Sequence, residues 1–266
     1  MQPPHAPFFR EAGTGPGVIC LHANASSSGQ WRALMERLAP RFHVLAPDAH
    51  GAGRGPAWPA GRAVRLADEA ALLEPLLERA GGPCALVGHS HGAAVALMAA
   101  LRWPERVRAL VLYEPTLFAL VDAETPPPNE ADGIRATVER ALAALAAGDA
   151  GGAARHFIDY WMDDGAWDAM PETRRRPIEA AIVNVGGWAE ALLGEPTPLA
   201  AFATLRQPVL FLRGGRSPPS SLAVTRLLLR ALPRAEVAEF EALGHMGPVT
   251  DPERVNPVIE RFLAGG

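Results

Sequence analysis

The chain has 266 residues, 48% apolar and 20% charged, enough for one sizeable hydrophobic core with or without an inserted subdomain. A net charge of −4 leaves no electrostatic footprint for nucleic acid. All 25 basic residues are arginine, which excludes a lysine Schiff base and the lysine of a phosphate-binding P-loop.

The opening MQPPHAPFFREAG has no charged region leading into an apolar one, so no signal peptide is expected. No apolar run approaches the ~20 residues needed to span a bilayer, and the expected location is the cytoplasm, away from membranes. Short β-rich runs then alternate with longer helical patterns. The runs GVICLHA (17–23), FHVLAPD (42–48), CALVGHS (84–90), RALVLYE (108–114), PVLFLRG (208–214) and AEVAEFE (235–241) read as strands. Helices are predicted over 29–38, 65–79, 91–101, 220–232 and 252–263, where apolar residues recur at three- and four-residue spacing. Such alternation predicts an α/β fold with a mostly parallel sheet and helices on both faces. Cys20 and Cys84 both fall inside strand-like runs and read as buried, reduced thiols.

The alternation breaks between Thr116 and Leu205. The segments IRATVERALAALAAGD, AARHFIDYWMDDGAW and PETRRRPIEAAIVNVGGWAEALL all look helical, with no strand between them. The expected organisation is a core of residues 1–115 and 206–266, interrupted by a helical cap over 116–205.

Gly88-His89-Ser90-His91-Gly92 sits between a strand and a helix, the setting that gives Gly-x-Ser-x-Gly its meaning. The tight turn strains Ser90 and lifts its hydroxyl above the sheet, while the unpaired amides around His91 at the helix start can face developing negative charge. A serine hydroxyl needs a base. His245 lies in a Gly-His-Met-Gly turn just after the last strand, and an imidazole can take the serine proton and return it to a leaving group.

The motifs VGHSHG, LGHMG, LHANASSSGQW and APDAHGAGRG, in this order and with a helical insertion, resemble the α/β-hydrolase family. The resemblance implies the α/β-hydrolase fold and a triad in the chain order serine, acid, histidine, with Ser90 as nucleophile and His245 as base. The family usually places its acid after the strand that here reads PVLFLRG. No Asp or Glu occurs from Pro196 to Ala235, and Ser217 stands about where an aspartate is expected. Other members take the acid from the end of the preceding strand, which here is Glu114. The alternative for Glu114 is an ion pair with Arg213 or Arg216. The resemblance also implies an oxyanion hole built from the amide of His91 and that of Ala23 or Asn24, with His22 supporting the loop.

His22, His50, His89, His91 and Asp48 invite a metal reading, but side chains flanking an elbow serine diverge and no ligand-spaced pair supports it; no metal and no cofactor are expected. The expected activity is that of a serine esterase acting on a small molecule with an apolar acyl or aryl group. Carbon–carbon hydrolase, perhydrolase and hydroxynitrile lyase chemistry remain open, as does a non-catalytic binding or receptor protein on the same fold. Trp161, Trp167 and Trp188 are candidate pocket residues, although aromatics at helical spacing more often pack between cap and sheet. The ETRRRP run at 172–177 could attract a carboxylate, but a solvated helix face is the simpler reading. Oligomeric state is not legible.

Overall fold

The computed structural model describes residues 7–59 and 61–265. Residues 1–6, on which part of the signal-peptide expectation falls, lie outside that range. Among the described residues, seven strands form one sheet: β1 (Phe9–Ala12), β2 (Gly17–Leu21), β3 (His43–Pro47), β4 (Cys84–His89), β5 (Val107–Tyr113), β6 (Val209–Gly214) and β7 (Glu236–Phe240). Their spatial order is β1-β3-β2-β4-β5-β6-β7. All neighbours pair in parallel except β1, which runs antiparallel to β3. The sequence pattern missed β1. Its four residues, FREA, include two charges and are only partly buried, so they carry no apolar signal.

The central strands are apolar on both faces because both faces are covered. On β2, Val18 and Cys20 join one core cluster while Ile19 and Leu21 join the other. One layer includes α1 (Arg32–Leu38) and the C-terminal helix Pro252–Gly265, whose Val255, Ile259 and Leu263 pack beneath the sheet with Leu34 and Leu38. The opposite layer contains α2 (Leu66–Ala71), α3 (Glu74–Arg79) and α4 (His91–Arg102). The helix predicted over 65–79 is two helices. Pro75 sits in the first turn of α3; it has no N–H to bond the carbonyl four residues back, and its ring clashes there.

Seven helices follow β5 without an intervening strand: α5 (Ala119–Glu124), α6 (Asp132–Ala146), α7 (Ala150–Trp161), α8 (Ala166–Ala169), α9 (Glu172–Ile182), α10 (Val185–Leu193) and α11 (Leu199–Phe202). Their buried side chains, Phe157, Trp161 and Trp188 among them, belong to the same continuous cluster as Leu86 and Leu110 of the sheet. The insertion therefore shares the sheet's core and has no separate one. The chain resumes with β6, α12 (Pro219–Ala231), β7, α13 (Gly247–Thr250) and α14 (Pro252–Gly265). None of the described helices is long and apolar enough to cross a membrane.

The order of strands places the site. The chain leaves β2 to one side for β3 and returns to the other side for β4. Loops leaving the carboxyl ends of β2 and β4 therefore diverge and open a crevice between them.

Candidate active site

Ser90 occupies the turn between β4 and α4 at φ 58°, ψ −119°, a conformation that costs a non-glycine residue about 1–3 kcal/mol. The surroundings impose it. The Ser90 amide donates to the Tyr113 carbonyl at 2.9 Å. A Cβ on Gly92 would stand 2.2 Å from the Leu21 carbonyl oxygen, and one on Gly88 would stand 2.5 Å from the Ala93 Cα. Only glycines allow α4 to press this closely against β2 and β4.

Ser90, His245 and Glu114 are brought together in one hydrogen-bonded chain. The Ser90 Oγ lies 3.0 Å from His245 Nε2, and His245 Nδ1 lies 2.6 Å from Glu114 Oε2. Glu114 is fully buried and follows β5 at φ 45°. A buried carboxylate is costly unless its lone pairs are met, and here they are. Oε1 accepts from the Gly214 amide at 2.7 Å and the Ser217 hydroxyl at 2.6 Å. Oε2 accepts from the Ser221 hydroxyl at 2.9 Å as well as from His245. Ser217, where an acid was the family expectation, thus faces the acid as a donor. Arg213 pairs instead with Glu239, at 2.5 Å.

The loop after β2 is also held by side chains. The Ala23 amide donates to Gln30 Oε1 at 3.1 Å. Of the two amides expected on this loop, that of Ala23 is thus engaged by a side chain. Among the described residues the Asn24 and His91 amides have no such partner. The Gln30 contact also fixes the sense of the bonds beyond it. Gln30 Nε2 must donate to His89 Nδ1, 3.0 Å away, so His89 carries its proton on Nε2 and donates to the His245 carbonyl at 2.8 Å. His89 is fully buried, and burial, reinforced by the nearby His245, holds its pKa well below the ordinary 6.5. A neutral ring is what this two-way bonding requires.

The other histidines take separate places. His22 Nε2 accepts from the Ala49 amide at 3.1 Å, leaving Nδ1–H to donate to the Ala23 carbonyl at 2.7 Å; it supports the loop. Asp48 accepts from the Ser28 and Arg54 amides at 2.6 and 2.8 Å. His91 points away from His89 into a buried niche beside Glu69, and burial lowers its pKa to about 4. His50 lies against Glu69 at 3.2 Å. No group of three or more potential metal ligands forms among the described residues.

Above Ser90 and His245 opens a cavity of about 830 Å³. Its apolar wall includes Phe118, Phe157, Trp161, Ile178, Trp188 and Leu192. Trp161 also stacks on the His245 ring, with centroids 4.1 Å apart and planes 30° apart. Trp167 does not reach the cavity. It is 3% exposed, and its backbone amide is held by Asp159 at 2.8 Å; an aromatic residue in an apolar helix reads the same in sequence whether it forms the wall or packs behind it.

The sequence reading did not single out Gln30, Ser221 or the Gly214 amide. The one available signal was the hydroxyl-rich RSPPSS, which follows β6 where a carboxylate is missing.

The alpha/beta hydrolase family model matches residues 18–258. The chain belongs to this family. Among curated alpha/beta hydrolase relatives, "Lipase LipV" of Mycobacterium tuberculosis (strain ATCC 25618 / H37Rv) is 31% identical over 262 residues, 94% of each chain. The pimeloyl-[acyl-carrier protein] methyl ester esterase of Chromobacterium violaceum is 30% identical over 244 residues, 90% of each chain. An alpha/beta hydrolase from Sphaerobacter thermophilus DSM 20745 has a crystal structure that superposes with a TM-score of 0.73 at 26% identity, covering 97% of this chain and 96% of that one. In this alpha/beta hydrolase, Glu114 at the tip of β5 is the carboxylate in contact with His245.

Proposed function

We propose that this alpha/beta hydrolase is a serine esterase that cleaves an ester-like acyl bond of a small molecule through an acyl-enzyme. The observation that carries the reading is the unbroken chain from Ser90 Oγ through His245 to Glu114, at 3.0 and 2.6 Å, on the floor of a cavity. Ser90 attacks the carbonyl carbon while His245 Nε2 takes its proton, and the imidazolium then protonates the leaving alcohol. Glu114 holds Nδ1–H, so that Nε2 is the free base, and stabilises the positive ring. The indole face of Trp161 favours the same cation. The Asn24 and His91 amides receive the oxyanion. Water, activated by His245, then releases the acid.

The helices within 116–205 act as a cap on the core formed by 1–115 and 206–266, since they supply most of the apolar wall. That wall suits an apolar acyl or aryl group. Two buried free thiols, Cys20 and Cys84, suit the cytoplasm. The unbroken chain of hydrogen bonds favours catalysis over a non-catalytic binding protein, for which a degenerate triad would speak. A fluorophosphonate probe should label wild-type protein at Ser90 and leave Ser90→Ala unlabelled, with hydrolysis of p-nitrophenyl esters lost in parallel. Turnover retained in pure Ser90→Ala protein would remove the mechanism.

A further inference from the structure

Glu172–Ile182 (α9) carries three successive arginines, Arg174 to Arg176, near its start, and the structure sends them to three places. Arg176 pairs with Glu172 one turn back, at 2.7 Å. Arg175 lies over the Trp167 ring, 5.9 Å from its centroid. Arg174 lines the cavity above Ser90, and so does Arg32 at the start of α1. Neither of these two has a carboxylate partner among the described residues.

Position separates them from the reacting groups. Arg32 and Arg174 are exposed, whereas Ser90 and His245 are buried, so the two charges stand where the cavity opens to solvent. Ser26, Ser27 and Thr173 line the same cavity and can add hydroxyl donors. Among the described residues no Asp or Glu lines it, in a chain that has 29 of them and a net charge of −4. Among the described residues, the permanent charges that line this cavity are therefore positive, against the sign of the molecule as a whole. A concave surface with low-dielectric walls and one sign of charge concentrates ligands of the other sign. A guanidinium fork also matches the two oxygens of a carboxylate.

We infer that the preferred substrates are esters with a carboxylate remote from the scissile bond. The apolar chain lies in the cavity, the ester carbonyl reaches Ser90, and the carboxylate meets Arg32 and Arg174 at the mouth. The inference rests on the proposed attack of Ser90 on an ester. It makes Arg32 and Arg174 determinants of substrate choice, with no part in the bond-breaking step.

The test compares two esters of equal length, the monoanionic 4-nitrophenyl hydrogen adipate and its neutral methyl ester, using kcat/KM for each. The wild type should favour the monoanion by about tenfold. Each of Arg32→Gln and Arg174→Gln should lower that ratio by roughly two- to five-fold, mainly through KM, as expected for solvent-exposed ion pairs. The double Gln variant should lose the preference, and the double Lys variant should keep part of it. In 1 M NaCl, where the screening length falls to ~3 Å, the wild-type ratio should approach that of the double Gln variant. Equal ratios in wild type and double Gln variant, or a wild-type preference for the neutral ester, would overturn the inference and leave the serine chemistry standing. Labelling of Ser90 without turnover of either ester would also overturn it. Loss of both turnover and labelling would remove the proposed function with it.

Discussion

Glu114 is the residue on which the candidate site turns. It is fully buried, sits at φ 45°, and survives there because four donors meet its two oxygens. Replacing it with Gln conserves volume but puts an amide NH₂ where one of those oxygens was, so a donor faces donors. If the NH₂ takes the Oε2 position, His245 must turn its lone pair toward it and carry its proton on Nε2, where it can no longer accept from Ser90. Glu114→Gln should lower kcat by at least ~10²; the equivalent change in a Ser–His–Asp protease costs ~10⁴. It should also lower stability by about 1–3 kcal/mol, because a buried polar group loses its partner. Ser217→Ala removes one donor of the four and should cost less than about tenfold in kcat. Steady-state kinetics with thermal melts on both variants check this; near-normal turnover in folded Glu114→Gln would place the acid elsewhere.

At the scale of elements, three loops must keep a common register: those after β2, β4 and β7. The turn and loop around His245 hang from the tips of β4 and β5. His89 donates to the His245 carbonyl, and the Tyr113 hydroxyl donates to the Gly244 carbonyl at 2.8 Å. Gln30, in the short turn Ser28–Trp31 before α1, joins the loop after β2 to the same structure through His89. This bridge ties the loop bearing Asn24 to the backbone of His245. Gln30→Leu and His89→Phe should each lower kcat by about tenfold with little change in KM, since the loss is felt mainly in the transition state. The double variant should lose little more than either single one, because both break the same bridge. His89→Gln, which can still accept and donate, should recover part of the activity. Losses that simply multiply would show that the two residues act apart.

For the whole molecule, the buried histidines set a pH limit. His22, His89 and His91 are all buried, and burial lowers the pKa of each. In His22 the Ala23 carbonyl and the charges of Asp48 and Glu69 oppose that effect without reversing it. A group whose folded pKa is depressed binds its proton first in the unfolded chain. Below pH 6.5 the unfolded state therefore takes up more protons than the folded one, and stability falls as pH falls. For His91 the gap between 6.5 and about 4 corresponds to roughly 3 kcal/mol, lost progressively across that window and complete near pH 4. Melting temperature should be level from pH 8 to 7 and decline steadily from pH 6.5 to 4.5. His91→Gln should flatten the decline, and an unchanged slope in that variant would exclude His91 as a contributor.

Much of this was legible in the chain itself. Runs such as GVICL and CALVGH are apolar without interruption because strands covered on both faces need it. The glycines around Ser90 announce a turn without room for a Cβ. A carboxylate at the tip of an apolar strand demanded a partner before any partner could be named. These are local constraints, and a local sequence carries them. The rest depends on which segments meet. β1 has no apolar face and becomes a strand only by pairing with β3. Trp161 and Trp167 are six residues apart in similar surroundings, yet one faces the cavity and the other its backing. The Ala23 amide is taken by a glutamine seven residues on, and Glu114 is cradled by serines more than a hundred residues away. Hydrogen bonds and stacking at such separations are decided by how the elements pack, a long-range property that periodicity, composition and turn chemistry do not encode.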